Sequence, residues 1–259
     1  MSGPTPLLDF FRRGEVARDV RMMAAQGVLA PRAHEQLVIL VLLLGDSDRE
    51  IRVVAEETLN RIPIEALQAF LARSDVPIDL REFFGDRGVF PAEIPAIEVD
   101  DPLIDTAGPE FDLPDDAEEG RESVQQRITN MGFTERLKAA VKGTKEMRSI
   151  LIRDPNKMIS AAVLSSPKVT EQEAAGYARM ASLSEDVLRA IGSNRAWLKN
   201  YGVVLGLTKN PKTPLAMSLN LMSRLQDRDV ATLSVDRNVP EALRLAARKK
   251  VAASISGKG

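Results

Sequence analysis

Few residues in this 259-residue chain have types and spacings that could do chemistry, and each also has a plain structural reading. His34 is the only histidine, so a Ser-His-Asp triad could draw on no other ring. It lies beside a strongly apolar helix with no serine nucleophile motif near it, and we read it as a satisfied structural residue. There is no cysteine, which excludes disulfides, thiolate metal sites and thiol nucleophiles and suits a reducing compartment. Lys142-Gly-Thr-Lys145 has the composition of a phosphate loop, but the Walker spacing and a preceding strand are both missing. A helix break followed by a Thr144 cap is expected there. Asp46, Asp48 and Glu50 alternate as in a calcium loop, and Glu57 falls at its twelfth position. The sixth position lacks glycine, however, and Ile51-Arg52-Val53 already has helical character, so a turn with capping acids is expected. Asp154 or Asp186 near Trp197 would be the acid of a glycosylase-like site, but no pattern singles either out. We therefore expect no catalytic, cofactor or metal site, and a protein that is not an enzyme.

The basic residues are more informative taken together. Arg153, Lys157, Lys168, Arg195, Lys199, Lys209, Lys212 and Arg237 sit at or near inter-helix turns, with Trp197 among them. They form a candidate ridge for an acidic protein or for phosphate. Trp197 and Tyr201 are four residues apart, so packing on one helical face is the competing reading of the aromatics. The near-neutral net charge hides a segregation. It is about −3 over residues 1–90, −11 over 91–122 and +12 over 123–259.

The elements that must position these groups are helical. Ala, Leu, Val, Arg and Glu dominate and aromatics are scarce, which favours helix. Thr5-Pro6 starts a first helix and Gly27 closes the pattern after it. Pro31 begins the next, which ends at Gly45, and Asp46–Asp48 turns into a helix bearing Ile51, Val54, Ala55, Leu59 and Ile62. Pro63 interrupts, and shorter apolar-faced segments follow over 64–72 and 78–84. Between 91 and 122, five prolines interleave with many acids, the signature of an extended or disordered linker. Ile94, Ile97, Val99, Leu103, Ile104, Phe111 and Leu113 are too many apolar groups for an inert spacer and are expected to be short docking points. The N-terminus lacks the order of a signal peptide. The longest apolar run, Leu37 to Leu44, falls well short of the roughly 20 residues that span a bilayer.

An internal repeat follows. Ser166-Pro-Lys-Val-Thr170 aligns with Asn210-Pro-Lys-Thr-Pro214 at an offset of about 44 residues. In that register Asn156 matches Asn200, Val163 matches Leu207, Tyr177 matches Leu221, Glu185 matches Asp229, Ile191 matches Val235 and Asn194 matches Asn238. Each unit is expected to hold three short helices, about 156–165, 171–181 and 185–192, then about 199–208, 214–225 and 229–236. Thr170 with Glu173 spells a capping box, Ser184 precedes acids, and Thr213-Pro214 has the order of a cap and first helical residue. Asn194 and Asn238 suit left-handed positions after helix ends, whereas Asn210 before proline should be extended. A last helix over 240–251 ends in Arg248-Lys249-Lys250, which favours its own C-terminus.

The helix pair across Asp46–Asp48, with Arg52 in its second helix, resembles a HEAT-type hairpin. Lys142-Gly143 through Ile150–Lys157, with Asn194–Tyr201 and Lys209–Pro214, resembles a group of bacterial HEAT/armadillo-like helical-repeat proteins of unassigned role. The resemblance implies a bacterial, cytoplasmic α-solenoid and brings no activity to transfer. The expectation is an all-α protein with a helical block over 1–90, an acidic proline-rich linker over 91–122 and a repeat domain over 123–253. Its expected role is a protein-binding scaffold or adaptor whose basic ridge meets an acidic partner, with the linker masking that ridge. Nucleic-acid binding by the basic block is the alternative, and neither cofactor nor membrane insertion is expected.

Overall fold

A computed structural model describes residues 6–94, 101–107 and 123–256, with side chains as far as residue 253. Among the described residues the chain is all-helical, with no strand. It divides into two compact units, Met1–Lys168 and Val169–Gly259. No helix among them is long and apolar enough to cross a membrane.

The first unit holds α1 (Pro6–Arg13), α2 (Arg18–Ala25), α3 (Ala33–Leu43), α4 (Arg49–Asn60), α5 (Ile64–Leu71), α6 (Ile78–Gly85), α7 (Val124–Asn130), α8 (Phe133–Lys142), α9 (Lys145–Leu151) and α10 (Lys157–Ser165). Helices α2, α3 and α4 pack on one another, α1 lies against α3 and α10, and α10 also packs on α8 and α9. Leu7, Leu8, Leu37, Leu40, Ile51, Leu137 and Ile159 are fully buried there. The turn at 46–48 is held by its acids, as expected. The Asp48 carboxylate caps α4 by accepting from the Glu50 N–H at 2.9 Å, and Arg18 and Arg21 pair with Asp48, Glu50 and Asp46. Arg52 Nη1 donates to the carbonyls of Asp46 and Ser47. Thr144 caps α9 by accepting from the Met147 N–H at 3.3 Å, so Lys142–Lys145 is a helix break with a cap.

The second unit holds α11 (Glu171–Ala178), α12 (Glu185–Ser193), a 3-10 turn (Trp197–Lys199), α13 (Tyr201–Lys209), α14 (Leu215–Met222), α15 (Asp227–Leu233) and α16 (Glu241–Ser256). Helix α13 packs against α11, α12 and α14, and α16 packs on α14 and α15. A Cβ on Gly206 would lie 3.0 Å from the Ala178 Cβ, so the glycine permits the close approach of α13 to α11.

The repeat is visible in local geometry. Helices α10 and α13, and α11 and α14, begin and end 44 residues apart. Asn156 and Asn200 cap α10 and α13 with nearly the same backbone angles, and each carboxamide oxygen accepts from the N–H two residues on, at 2.9 and 2.8 Å. Ser166 and Asn210 are a second matched pair. The Ser166 hydroxyl donates to the Val141 carbonyl near the end of α8, and the Asn210 carboxamide donates to the Ala178 carbonyl at the end of α11. Each also accepts the N–H two residues on, at Lys168 and Lys212.

Past Met222 the register shifts. The turn from α11 to α12 spans residues 179–184, while that from α14 to α15 spans 223–226, so the offset falls to 42. Leu188 and Ile191 then correspond to Val230 and Leu233, all buried, while Val235 is 68% exposed and is not the counterpart of Ile191. The same shift corrects the asparagines. Asn194 is extended, at φ −81, and its side chain accepts from the N–H of Ala196, as Asp236 accepts from Asn238. Neither asparagine is left-handed, because the side-chain bond stabilises the turn without a positive φ.

Three further expectations are corrected. Thr213 does not cap α14, since its hydroxyl is buried with no hydrogen-bond partner. Helix α16 runs on to Ser256, so Arg248 and Lys250 lie inside it. They donate to Ser234 O and Met222 O, at the ends of α15 and α14, and so serve the negative ends of neighbouring helices. Ile94 is 76% exposed and docks nowhere, while Ile97, Val99, Phe111 and Leu113 lie outside the described residues, as does Thr5.

Candidate functional site

Two features of the described residues have the make-up of a binding surface. The first is a polar groove in the first unit. Two residues past the end of α2, Gly27 at φ 75 closes the helix with an N–H bond back to Ala24 O. A Cβ on Gly27 would lie 3.4 Å from methyl groups of both Ile104 and Thr106, so residues 101–107 rest directly on this glycine. Gln36, in the first turn of α3, is 2% exposed. Its carboxamide oxygen accepts the N–H groups of Leu103 (2.8 Å) and Ile104 (3.1 Å), and its Nε2 donates to Ile104 O at 2.5 Å. The Thr106 hydroxyl donates to Gln26 O at 2.7 Å, and its N–H to Gly27 O at 3.4 Å. Lys142, the last residue of α8, has a side chain only 9% exposed, and its Nζ lies 2.7 Å from the Asp105 carboxylate. Beside Gln36 a shallow apolar pocket is lined by Ala24, Leu29, Ala30, Pro31 and Ile39. Ala30 holds φ at 42, a strained value for a residue with a Cβ. Residues 101–107 therefore form a strap docked on α2, α3 and α8. Gln26, Gly27, Gln36 and Lys142, which hold it, lie outside the expected basic ridge.

The second feature is that ridge. In the first unit Arg153 is exposed just past the end of α9 and Lys157 at the start of α10, while Lys168 lies past the other end of α10, with its Nζ donating to Lys142 O at 2.9 Å. In the second unit Arg195 and Lys199 are exposed before α13, Lys209 is half-buried at its end, and Lys212 is exposed in the next turn. Arg237 is exposed before α16. A helix of nine residues is about 13 Å long, so Lys157 and Lys168 in the first unit, and Lys199 and Lys209 in the second, lie at opposite ends of one helix. Trp197 is 5% exposed, which withdraws its ring from the surface and leaves it to pack.

His34 is not satisfied as expected. Its Nδ1 is buried without a hydrogen-bond partner among the described residues, and burial lowers its pKa. The Asp154 carboxylate accepts from Arg136 at 2.6 Å and from the Asn156 N–H at 2.8 Å, and so stiffens a turn. Glu35 is the unforeseen group. It is 2% exposed, and its Oε1 accepts the Leu8 N–H at 2.8 Å. Burial pushes its pKa up to about 7.

Gln36 and Lys142 also escaped the sequence reading. A glutamine opening an otherwise apolar helix, and a lysine directly before a helix-breaking glycine, were the available signals. No protein-family model, curated protein or solved structure matches the chain.

Proposed function

We propose that this chain is a non-enzymatic interaction module, an α-solenoid of the HEAT/armadillo kind that binds an acidic protein partner through bases at its inter-helix turns. The observation that carries this reading is the placement of Lys157, the first residue of α10, and of Lys199, two residues before α13, both exposed at helix starts, with exposed Arg153 and Arg195 close by in sequence. The N-terminal end of a helix already bears the positive end of the macrodipole, so a base there is locally unfavourable. An acidic ligand bound at these helix starts would offset that cost. Each unit has one such lysine. Arg153, Arg195, Lys168 and Lys212 serve the reading less well, because they lie past the C-termini of α9, α12, α10 and α13, where a base is stabilising in its own right.

The same bases would attract phosphate, and one experiment separates the two partners. The intact protein and a variant with Arg153, Lys157, Arg195 and Lys199 all changed to Glu are used for affinity capture, each with and without nuclease. The expected result is a protein partner that survives nuclease and is lost with the variant. Release of the bound material by nuclease would favour nucleic acid instead.

A further inference from the structure

We propose that the groove formed by the end of α2, the first turn of α3 and the end of α8 is a peptide-recognition site. It takes, in trans, a bent segment of two aliphatic residues followed by an acid and a threonine, and residues 101–107 occupy it as the protein's own competitor. The site is distinct from the basic turns and stands without them.

Most of the recognition is directed at backbone. The Gln36 carboxamide engages the N–H groups of two consecutive residues and the carbonyl of the second, bonds that any chain of the same conformation can make. Selection comes from three further contacts. Lys142 is largely buried, so it demands an acid where Asp105 stands. The Gln26 carbonyl accepts a hydroxyl one residue later. Gly27 offers a surface without a side chain on which a β-branched residue rests at each flanking position.

The groove is also built so that it must be filled. Emptied, it would leave the Gln36 carboxamide and the Lys142 ammonium without these partners beside the apolar wall of Leu29, Ala30, Pro31 and Ile39. The present occupant shelters poorly in return. Leu103 and Ile104 are half-buried and Asp105 is exposed. A tethered occupant has a high effective concentration, so it holds the site against weak competitors and yields to a partner that fills the groove better.

The probe is a fluorescent heptapeptide, Asp-Pro-Leu-Ile-Asp-Thr-Ala, copied from residues 101–107. It is titrated into the intact chain and into an Asp105→Lys chain, in which two cations face each other and the strap is unseated. The peptide should bind the variant at least about tenfold more tightly than the wild type, which still has its tethered competitor. Adding Gln36→Ala, or replacing the second Asp of the peptide by Lys, should each reverse that gain. Were Asp105→Lys to lose helical signal in circular dichroism, Thr106→Val weakens the strap more gently and should give a smaller gain of the same sign. The proposal is overturned if the folded variant binds the peptide no better than a scrambled one, or if Gln36→Ala leaves the affinity unchanged. Labelled polyglutamate in the same titrations reports on the basic turns. Its binding is indifferent to Gln36, so failure of the groove and failure of the basic turns give different results.

Discussion

A single carboxyl sets the expected pH behaviour of the first unit. Glu35 meets the first turn of α1 from inside the protein, and burial raises its pKa from about 4.5 to about 7. Below about pH 4.5 both the folded and the unfolded chain hold the proton, and its contribution to stability is fully present. Between there and about 7 only the folded chain keeps it, so stability falls as pH rises, by about 3 kcal/mol in all. Above 7 the loss is complete. The Glu35→Gln variant keeps an acceptor for the Leu8 N–H and has nothing to titrate. Its melting temperature should therefore change much less than that of the wild type between about pH 5 and 8. An unchanged slope in the variant would assign the effect to another group. Neither Glu35 nor Gln36 was legible in the sequence. They follow one another in a helix whose pattern announces only burial, and nothing local tells a polar residue turned inward from one at the edge of an apolar face.

Among the elements, helix beginnings were the most legible. Asp48, Thr144, Thr170 and Ser184 each have the cap bond that their position in the sequence implies. A cap is a bond between near neighbours, so its signal is complete within a few residues. The repeat was legible for the same reason as far as Met222, beyond which a turn shorter by two residues moved Val235 to the surface and put Leu233 in its place. The roles of Ser166 and Asn210 depend on a helix far back in the chain, so spacing showed their equivalence but not their bonds. Those bonds set an expectation at this scale. Asn210 is 4% exposed and its carboxamide bridges the carbonyls of Ala178 and Met180. Replacing it with Ala leaves those buried carbonyls short of a donor and should cost about 1–3 kcal/mol in urea unfolding. The Lys212→Ala change nearby, at an exposed residue, should cost under about 0.5 kcal/mol. Equal effects of the two would remove the bridging role.

For the whole molecule, composition gave the all-helical class and the charge segregation, but it could not say where the linker would rest. Part of the acidic stretch docks through Gln36 and Lys142, two polar residues of the first unit, and not through the bases that charge alone would have chosen. Net charge describes attraction at a distance, whereas docking is decided by buried bonds at particular atoms. The proposed acidic ligand would meet the exposed bases Lys157 and Lys199 at the starts of α10 and α13. The most direct measurement is a fluorescence titration of polyglutamate, in rising salt, into the intact protein and into the variant with Arg153, Lys157, Arg195 and Lys199 changed to Glu. Binding of the intact protein at low salt, weakened about tenfold or more in the variant and in both cases lost as salt rises, is the expected result. Equal binding by the two proteins, or none by either at low salt, would contradict the account.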